Sequence, residues 1–300
     1  MNLWDSRTVR QIMTMFGLSF RKEFGQNFLT DPEVIDAIAD ACYPTGDCTV
    51  LEIGPGIGTL TRSLAARYKK VIALEIDRSL IPVLHYTLGD CPNVTVVNED
   101  VMQTDLSALL ADAFAAGPVA VCANLPYYIT TPILMKLLES RLPFDGITVM
   151  VQAEVADRLC AGAGEKAYGA ITAVLNYYAR AEEILFVPAD RFVPAPKVNS
   201  KVIRIALWQE KPCKPQDEAL LFRTVKAAFG QRRKTLANAL ATGYPELGKE
   251  RVAAILADMG LAADIRGERL SIADFTALSD RIGEALAKEK PENGGGNGHD

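Results

Sequence analysis

The sequence predicts an α/β protein: a mostly parallel sheet with helices on both faces, followed by a small all-helical domain. Three observations predict it. Between residues 49 and 160, short apolar runs rich in Val, Ile and Leu alternate with longer stretches of helical period, and repeated strand–helix units build parallel sheets. The first run passes into a helix through a glycine-rich turn, Gly54-Pro55-Gly56-Ile57-Gly58. Beyond residue 217 only helical patterns remain, marked by Phe222, Val225 and Phe229, then Val252, Ile255 and Leu256, then Phe275, Leu278 and Ile282.

Taken in order, residues 5–16 read as a helix with Val9, Ile12, Met13 and Phe16 on one side. Residues 21–29 mix charges, amides, aromatics and glycine without a period, which makes 1–30 an N-terminal arm and entrance loop. Asp31 and Pro32 open a helix as N-cap and first helical residue, and the sheet domain spans 31–207. Its strands are expected at 49–53, 71–75, 94–97, 119–123 and 146–151. Helices are expected from the glycine turn to about residue 68, at 78–88, from Thr130-Thr131-Pro132, and from about residue 153. A further helix carries Ile171, Val174, Leu175 and Tyr178, and strands at 184–187 and 201–207 flank the proline-rich loop 187–197. Pro212 and Pro215 lie in a polar linker at 208–216. The helical domain is 217–287. The tail 288–300, of Lys, Glu, Pro, Gly and Asn, is expected to be disordered.

Composition excludes several classes. Of 300 residues, 49% are hydrophobic and 23% charged, ordinary for a globular chain, and no apolar run is long enough to span a bilayer. Arg7, Arg10 and Gln11 interrupt the N-terminal apolar residues, so a signal peptide is not expected and a cytoplasmic location is. Six cysteines form no Cys-x-x-Cys pair, and the two histidines are His85 and His299; neither a metal site nor histidine-dependent chemistry is expected. A net charge of −5 counts against a general nucleic-acid binder, so any such contact needs local basic clusters. Nothing forces a dimer, and a monomer is expected.

Ligands of open α/β sheets bind at the carboxyl ends of the strands, and four of those ends carry candidate chemistry. Gly54 and Gly56 let a backbone approach a ligand. Glu75 follows at about the 20-residue offset of an acid that holds ribose hydroxyls. Asp100, after Asn98-Glu99, suits an exocyclic amine such as adenine presents. At the fourth end, Asn124-Leu125-Pro126-Tyr127 offers a planar amide, a stiff proline and an aromatic ring, with Tyr128 read as packing. Glycine-rich first turns occur in dehydrogenases and methyltransferases alike, so these residues leave hydride and methyl transfer both open.

The motifs taken together narrow this. Glu52-Ile-Gly-Pro-Gly-Ile-Gly resembles the first motif of methyltransferases that use S-adenosylmethionine, and Asn124-Leu-Pro-Tyr the fourth motif of those acting on exocyclic amines. Phe24-Gly-Gln-Asn-Phe-Leu and Phe192-x-Pro-x-Pro-Lys-Val-x-Ser resemble the rRNA adenine-N6 dimethyltransferases. Lys166-Ala-Tyr-Gly, Phe229-Gly-Gln-Arg-Arg-Lys-Thr-Leu-Ala-Asn-Ala-Leu and Glu268-Arg-Leu-Ser resemble the KsgA family of the small ribosomal subunit more than the Erm resistance enzymes of the large one. The similarity covers about residues 20 to 285. In one departure, Ala153 stands where the family usually has a basic residue, which removes one RNA contact.

The resemblance implies a Rossmann-like methyltransferase sheet with an RNA-contacting helical domain. It also implies dimethylation of two adjacent adenines in a 3'-terminal hairpin loop of small-subunit (16S) rRNA, with a role in subunit biogenesis. It places Asn27, Leu29, Gly54, Gly56, Glu75, Asp100 and Asn124 around the cofactor. For the target base, Asn124 and Leu125 would accept from the N6 hydrogens, Pro126 would hold the loop, and Tyr127 and Phe192 would stack the ring. RNA contacts are expected from Arg21 and Lys22, from Arg191 and Lys197 beside the proline loop, and from Arg232, Arg233 and Lys234 at a helix start. An Erm-type enzyme and a non-catalytic ribosome assembly factor are the alternatives, with a nicotinamide dehydrogenase more distant.

Overall fold

The computed structural model describes residues 1–20, 26–231 and 233–289. They fall into two compact units. The first comprises Met1–Cys160 and Ala179–Leu207; the second comprises Ala161–Tyr178 and the chain from Trp208 onward. The grouping differs from the expected boundaries: residues 161–178 and 208–216 group with the helical unit, and residues 1–20 and 26–30 with the first.

The first unit opens with α1 (Ser6–Met15), whose N-cap Asp5 accepts from the N–H groups of Arg7 and Thr8. Strand β1 (Phe28–Leu29) precedes α2 (Pro32–Cys42), capped by Asp31 with proline in its first turn. Then follow β2 (Thr49–Ile53), α3 (Thr59–Arg67), β3 (Lys70–Leu74), a 3-10 turn (Arg78–Leu80) running into α4 (Ile81–Thr87), and β4 (Val94–Val97). Helix α5 (Leu106–Ala116), β5 (Val119–Asn124), α6 (Thr130–Glu139), β6 (Gly146–Gln152) and α7 (Ala153–Cys160) complete the alternation. After α8 (Ala170–Tyr178) of the second unit, the chain returns as β7 (Ala179–Val187), β8 (Phe192–Val193) and β9 (Ser200–Leu207).

Seven strands form one sheet in the order β4-β3-β2-β5-β6-β9-β7. The first five run parallel, and β9 and β7 add antiparallel. The direction of connection reverses between β2 and β5, so their carboxyl ends frame the switch-point crevice. The core on one face joins Val34, Ile35 and Ile38 of α2 and Leu60 and Leu64 of α3 to Val50, Val71, Ala120 and Cys122 of the sheet. A second cluster seats Val9, Ile12 and Met13 of α1 against Phe28, Ile57, Leu80 and Val83. The short β1 and β8 pair with each other, Phe28 with Val193 and Leu29 with Phe192.

The second unit is helical: α8, then α9 (Glu218–Phe229), α10 (Leu236–Gly243), α11 (Gly248–Asp258) and α12 (Ile272–Glu289). Three stretches marked by resemblance meet inside it. Tyr168 donates its hydroxyl to the Leu270 carbonyl (2.9 Å), Gly164 N–H bonds the Glu268 carbonyl (2.7 Å), and the Tyr168 ring lies 5.9 Å from Phe229. Helix α12 runs to Glu289, past the expected start of a disordered tail at 288; the tail from 290 lies outside the described residues.

Candidate active site

The carboxyl ends of β2, β3 and β5 open into one cleft, whose lining includes Asn27, Leu29, Gly54, Gly56, Glu75 and the loop 124–128. An adjoining lobe holds Glu99, Asp100 and Val101 and shares Gly54, Ile76, Pro126 and Tyr128 with it. Every strand end singled out from sequence therefore reaches one continuous depression.

Each wall has a local cause. The glycine turn needs left-handed backbone, with φ of +71° at Gly54 and +60° at Gly56, which only glycine adopts without penalty. The two glycines differ in surroundings. A Cβ on Gly56 would come within 2.8 Å of the Phe28 ring, whereas one on Gly54 would meet no atom within 4 Å. Gly56 thus holds the arm close, and Gly54 leaves open space where a ligand could approach the backbone.

Glu75 is buried and accepts from the N–H groups of Gly56 (3.1 Å) and Asp77 (2.8 Å). Burial pushes its carboxyl up to about 7, against those two hydrogen bonds. Behind it, Glu52 is 1% exposed in an otherwise apolar strand. Its Oε2 and the Thr61 hydroxyl have no hydrogen-bond partner. Burial raises Glu52 to about 8; Thr61 opposes the rise without meeting hydrogen-bond geometry, and Glu75 adds to it by repulsion. The sequence assigned Glu52 no role; a charged residue inside a buried strand was the available signal.

Asp100 turns its Oδ1 back onto the Met102 N–H (2.8 Å). Gln26 of the arm donates to Asp77 (2.9 Å), fastening the arm to the end of β3. Asn124 donates Nδ2 to the Asn27 carbonyl (3.3 Å), which assigns the amide's donor end to the arm and its Oδ1 to the acceptor role. The Tyr127 hydroxyl shares a 2.6 Å hydrogen bond with Ser200.

Several expected site residues lie elsewhere. Phe192 is 2% exposed, packed in the core with Leu29 and Val34, and presents no open ring face. Tyr128, read as packing, is 58% exposed and lines both lobes. Ile76, 46% exposed, does the same and was missed, because an apolar residue after a strand resembles core. Arg191 pairs with the N-cap Asp31 (2.9 Å) and so is tied into the fold. Lys197 is exposed. Arg233 and Lys234 are exposed in the turn before α10, whose N-cap is Thr235, and not at a helix start. Arg21, Lys22 and Arg232 lie outside the described residues. Among the described residues, no cluster of His, Cys, Asp or Glu could hold a metal ion, and no helix is long and apolar enough to cross a membrane.

A sheet with five parallel strands, a glycine turn, an acid after β3 and an amide loop after β5 defines a Rossmann-like protein with its ligand site at the strand ends. The comparisons with known proteins make this particular. The family model "Ribosomal RNA adenine dimethylase" matches residues 17–283, and the chain belongs to that family. It is 47% identical over 281 residues to a Bacillus licheniformis protein named ribosomal RNA small subunit methyltransferase A, covering 92% of this chain and 96% of that one. It is 45% identical over 287 residues to a protein of the same name from Lachnoclostridium phytofermentans, covering 95% and 99%. Among solved structures, a dimethyladenosine transferase from Plasmodium falciparum superposes with a TM-score of 0.70 at 23% identity over 86% of this chain and 98% of that one, which shows the shared fold. The 23S rRNA methyltransferase ErmE superposes with a TM-score of 0.66 at 28% identity, over 86% and 100%.

Proposed function

We propose that the protein transfers methyl groups from S-adenosylmethionine to the N6 amines of two adjacent adenines in a 3'-terminal hairpin loop of small-subunit rRNA. The observation that carries this reading is that Asn124, Leu125 and Tyr127 share one cleft with Gly54 and Glu75. A base-orienting loop and a nucleoside-holding wall thus meet without an intervening layer. Relatives at 45–47% identity are named as small-subunit enzymes, and that favours the small subunit over the large.

The residues fit the cofactor. Gly54 leaves space that a side chain would fill, the Glu75 carboxylate accepts from ribose hydroxyls, Asp100 suits the adenine amine, and Asn27 and Leu29 close the arm side. Bound S-adenosylmethionine supplies an electrophilic methyl group on a sulfonium. The chain's own residues do the rest by positioning. An exocyclic amine is a poor nucleophile because its lone pair is delocalised into the ring. Asn124 Oδ1 and the Leu125 carbonyl accept from the two N6 hydrogens and aim that lone pair across the cleft. Pro126 stiffens the loop. Tyr127 and the exposed Tyr128 give ring faces for the unstacked base and favour the positive charge passing onto the amine. No side-chain base is needed, because the methylated ammonium loses its proton readily to water. Arg233, Lys234 and Lys197 contribute phosphate contacts.

The test is transfer of label from S-adenosylmethionine to small subunits lacking the modification, with free small- and large-subunit RNA alongside and dimethyladenosine located by mass spectrometry. Label on small subunits is expected. Modification of large-subunit RNA alone would assign an Erm-type activity instead, and no transfer to any substrate would leave an assembly factor.

A further inference from the structure

Helix α6 serves two loops at once. At its start, the Thr130 hydroxyl and the Ile129 N–H both donate to the Pro126 carbonyl (3.0 and 3.2 Å), so the helix continues directly from the Asn124–Tyr127 loop. Less than two turns further on, Lys136 Nζ donates to the carbonyls of Met102 (3.0 Å) and Thr104 (2.8 Å). Those carbonyls belong to the loop opened by Asp100. That loop folds on itself: Asp100 Oδ1 takes the Met102 N–H (2.8 Å), and the Asp100 carbonyl takes the Gln103 and Thr104 N–H groups (2.9 Å each) and the Thr104 hydroxyl (2.8 Å). Ile129 and Ile133 of α6 line the same lobe as Asp100. Lys136 is half-buried and bonds two carbonyls rather than a carboxylate, so it fixes backbone instead of neutralising a charge.

We propose that Lys136 is a positioning residue. It holds the 100–104 loop, and with it the Asp100 carboxylate, against the helix that carries the target loop, so that the adenine end of the cofactor site is set from the substrate side. The inference rests on the proposed cofactor assignment. Removing the ammonium leaves two carbonyls without their donor and lets the loop sample other arrangements, which weakens whatever Asp100 holds.

The test is calorimetric titration of Lys136→Met, Lys136→Arg and wild-type protein with S-adenosylmethionine and, separately, with 5'-methylthioadenosine, all without RNA. Lys136→Met is expected to weaken both ligands by the same factor, about tenfold, since the lost contact acts on the nucleoside end that they share. Lys136→Arg, which keeps a donor cation, is expected to bind within about threefold of wild type. In turnover, KM for the cofactor rises while KM for small subunits and kcat stay within about twofold. Lys136→Leu, which also lacks a donor, replaces Lys136→Met if the latter melts early. Unchanged affinity in a folded Lys136→Met, or equal losses in Lys136→Met and Lys136→Arg, overturns the inference and leaves the cofactor assignment standing. Failure of wild-type protein to bind S-adenosylmethionine overturns both.

Discussion

The two walls of the cleft are built to different degrees of completion. On the cofactor side, Gly54 and Gly56 hold their left-handed backbone, Glu75 is anchored by two N–H groups, and Gln26 ties the arm to Asp77. On the target side, Tyr128 stands out in solvent, Tyr127 is bonded to Ser200, and Phe192 is sunk in the core. The difference teaches that the wall proposed for the nucleoside is already tied by hydrogen bonds, whereas the wall proposed for the base leaves the Tyr128 ring exposed. That suits an enzyme whose target base must first leave its stack.

The largest effect expected of this division is on the target wall. Asn124→Ala should lower methyl transfer by about 10²- to 10³-fold through lost orientation, while binding to small subunits stays within about twofold; transfer assays and sedimentation would show it. Retained transfer would remove Asn124 from the chemistry. Next come the two glycines. Gly56→Val, with its side chain driven against Phe28, should destabilise the protein by about 2–4 kcal/mol in thermal or denaturant unfolding. Gly54→Ala should cost about 1 kcal/mol of stability, with its main effect a cofactor affinity reduced about tenfold. Equal behaviour of the two would contradict the open space at Gly54.

The third prediction concerns pH. Burial holds Glu75 near 7, above its ordinary value of 4.5. The folded, cofactor-free protein therefore keeps a proton that the unfolded chain loses, and stability falls as pH rises from about 4.5 to 7. The loss is on the order of 3 kcal/mol. Ribose hydroxyls favour the ionised form, so cofactor affinity should run the other way, rising with pH up to about 7 and levelling above 8. Calorimetry across this range in wild type and in Glu75→Gln, which should lose this contribution and keep that of Glu52, raised to about 8, checks the sign.

Phe192→Leu tests whether the core phenylalanine leaves its seat to stack. From its core seat the expected outcome is a stability loss of about 1–2 kcal/mol, with turnover and cofactor affinity within about twofold of wild type. A tenfold loss of turnover at unchanged cofactor affinity would show that the ring leaves the core. The smallest effect belongs to Tyr127→Phe, which loses only the Ser200 bond: about 1 kcal/mol of stability and less than about threefold in rate.

The alternation of strands and helices was legible because buried parallel strands are apolar throughout, as 119–123 is. Helix α5 was not, because Leu106–Ala116 is nearly all alanine and leucine and lacks a polar face. The first half of β7 escaped because Arg180, Glu182 and Glu183 lie on an exposed edge strand. The strand-end chemistry at Gly54, Glu75 and Asn124 showed because those positions break local pattern. Tertiary partners did not show. Nothing near Arg191 announces its pairing with Asp31 160 residues away, and nothing near Phe192 announces its burial against Leu29. The membership of 161–178 in the helical unit is likewise a matter of long-range packing.

The pairing of β1 with β8 has a consequence for synthesis. Thr30 donates both its N–H and its hydroxyl to the Arg191 carbonyl, 161 positions later, and Phe28 and Leu29 lie opposite Val193 and Phe192. A chain emerging from the ribosome in sequence order can assemble Gly54, Glu75 and Asn124 early, but the arm that closes over them has no ribbon partner until residue 193 has been added. The arm's bonds to Asp77 and Asn124 have their partners early, whereas the ribbon at residues 28–29 is completed only when about two-thirds of the protein exists.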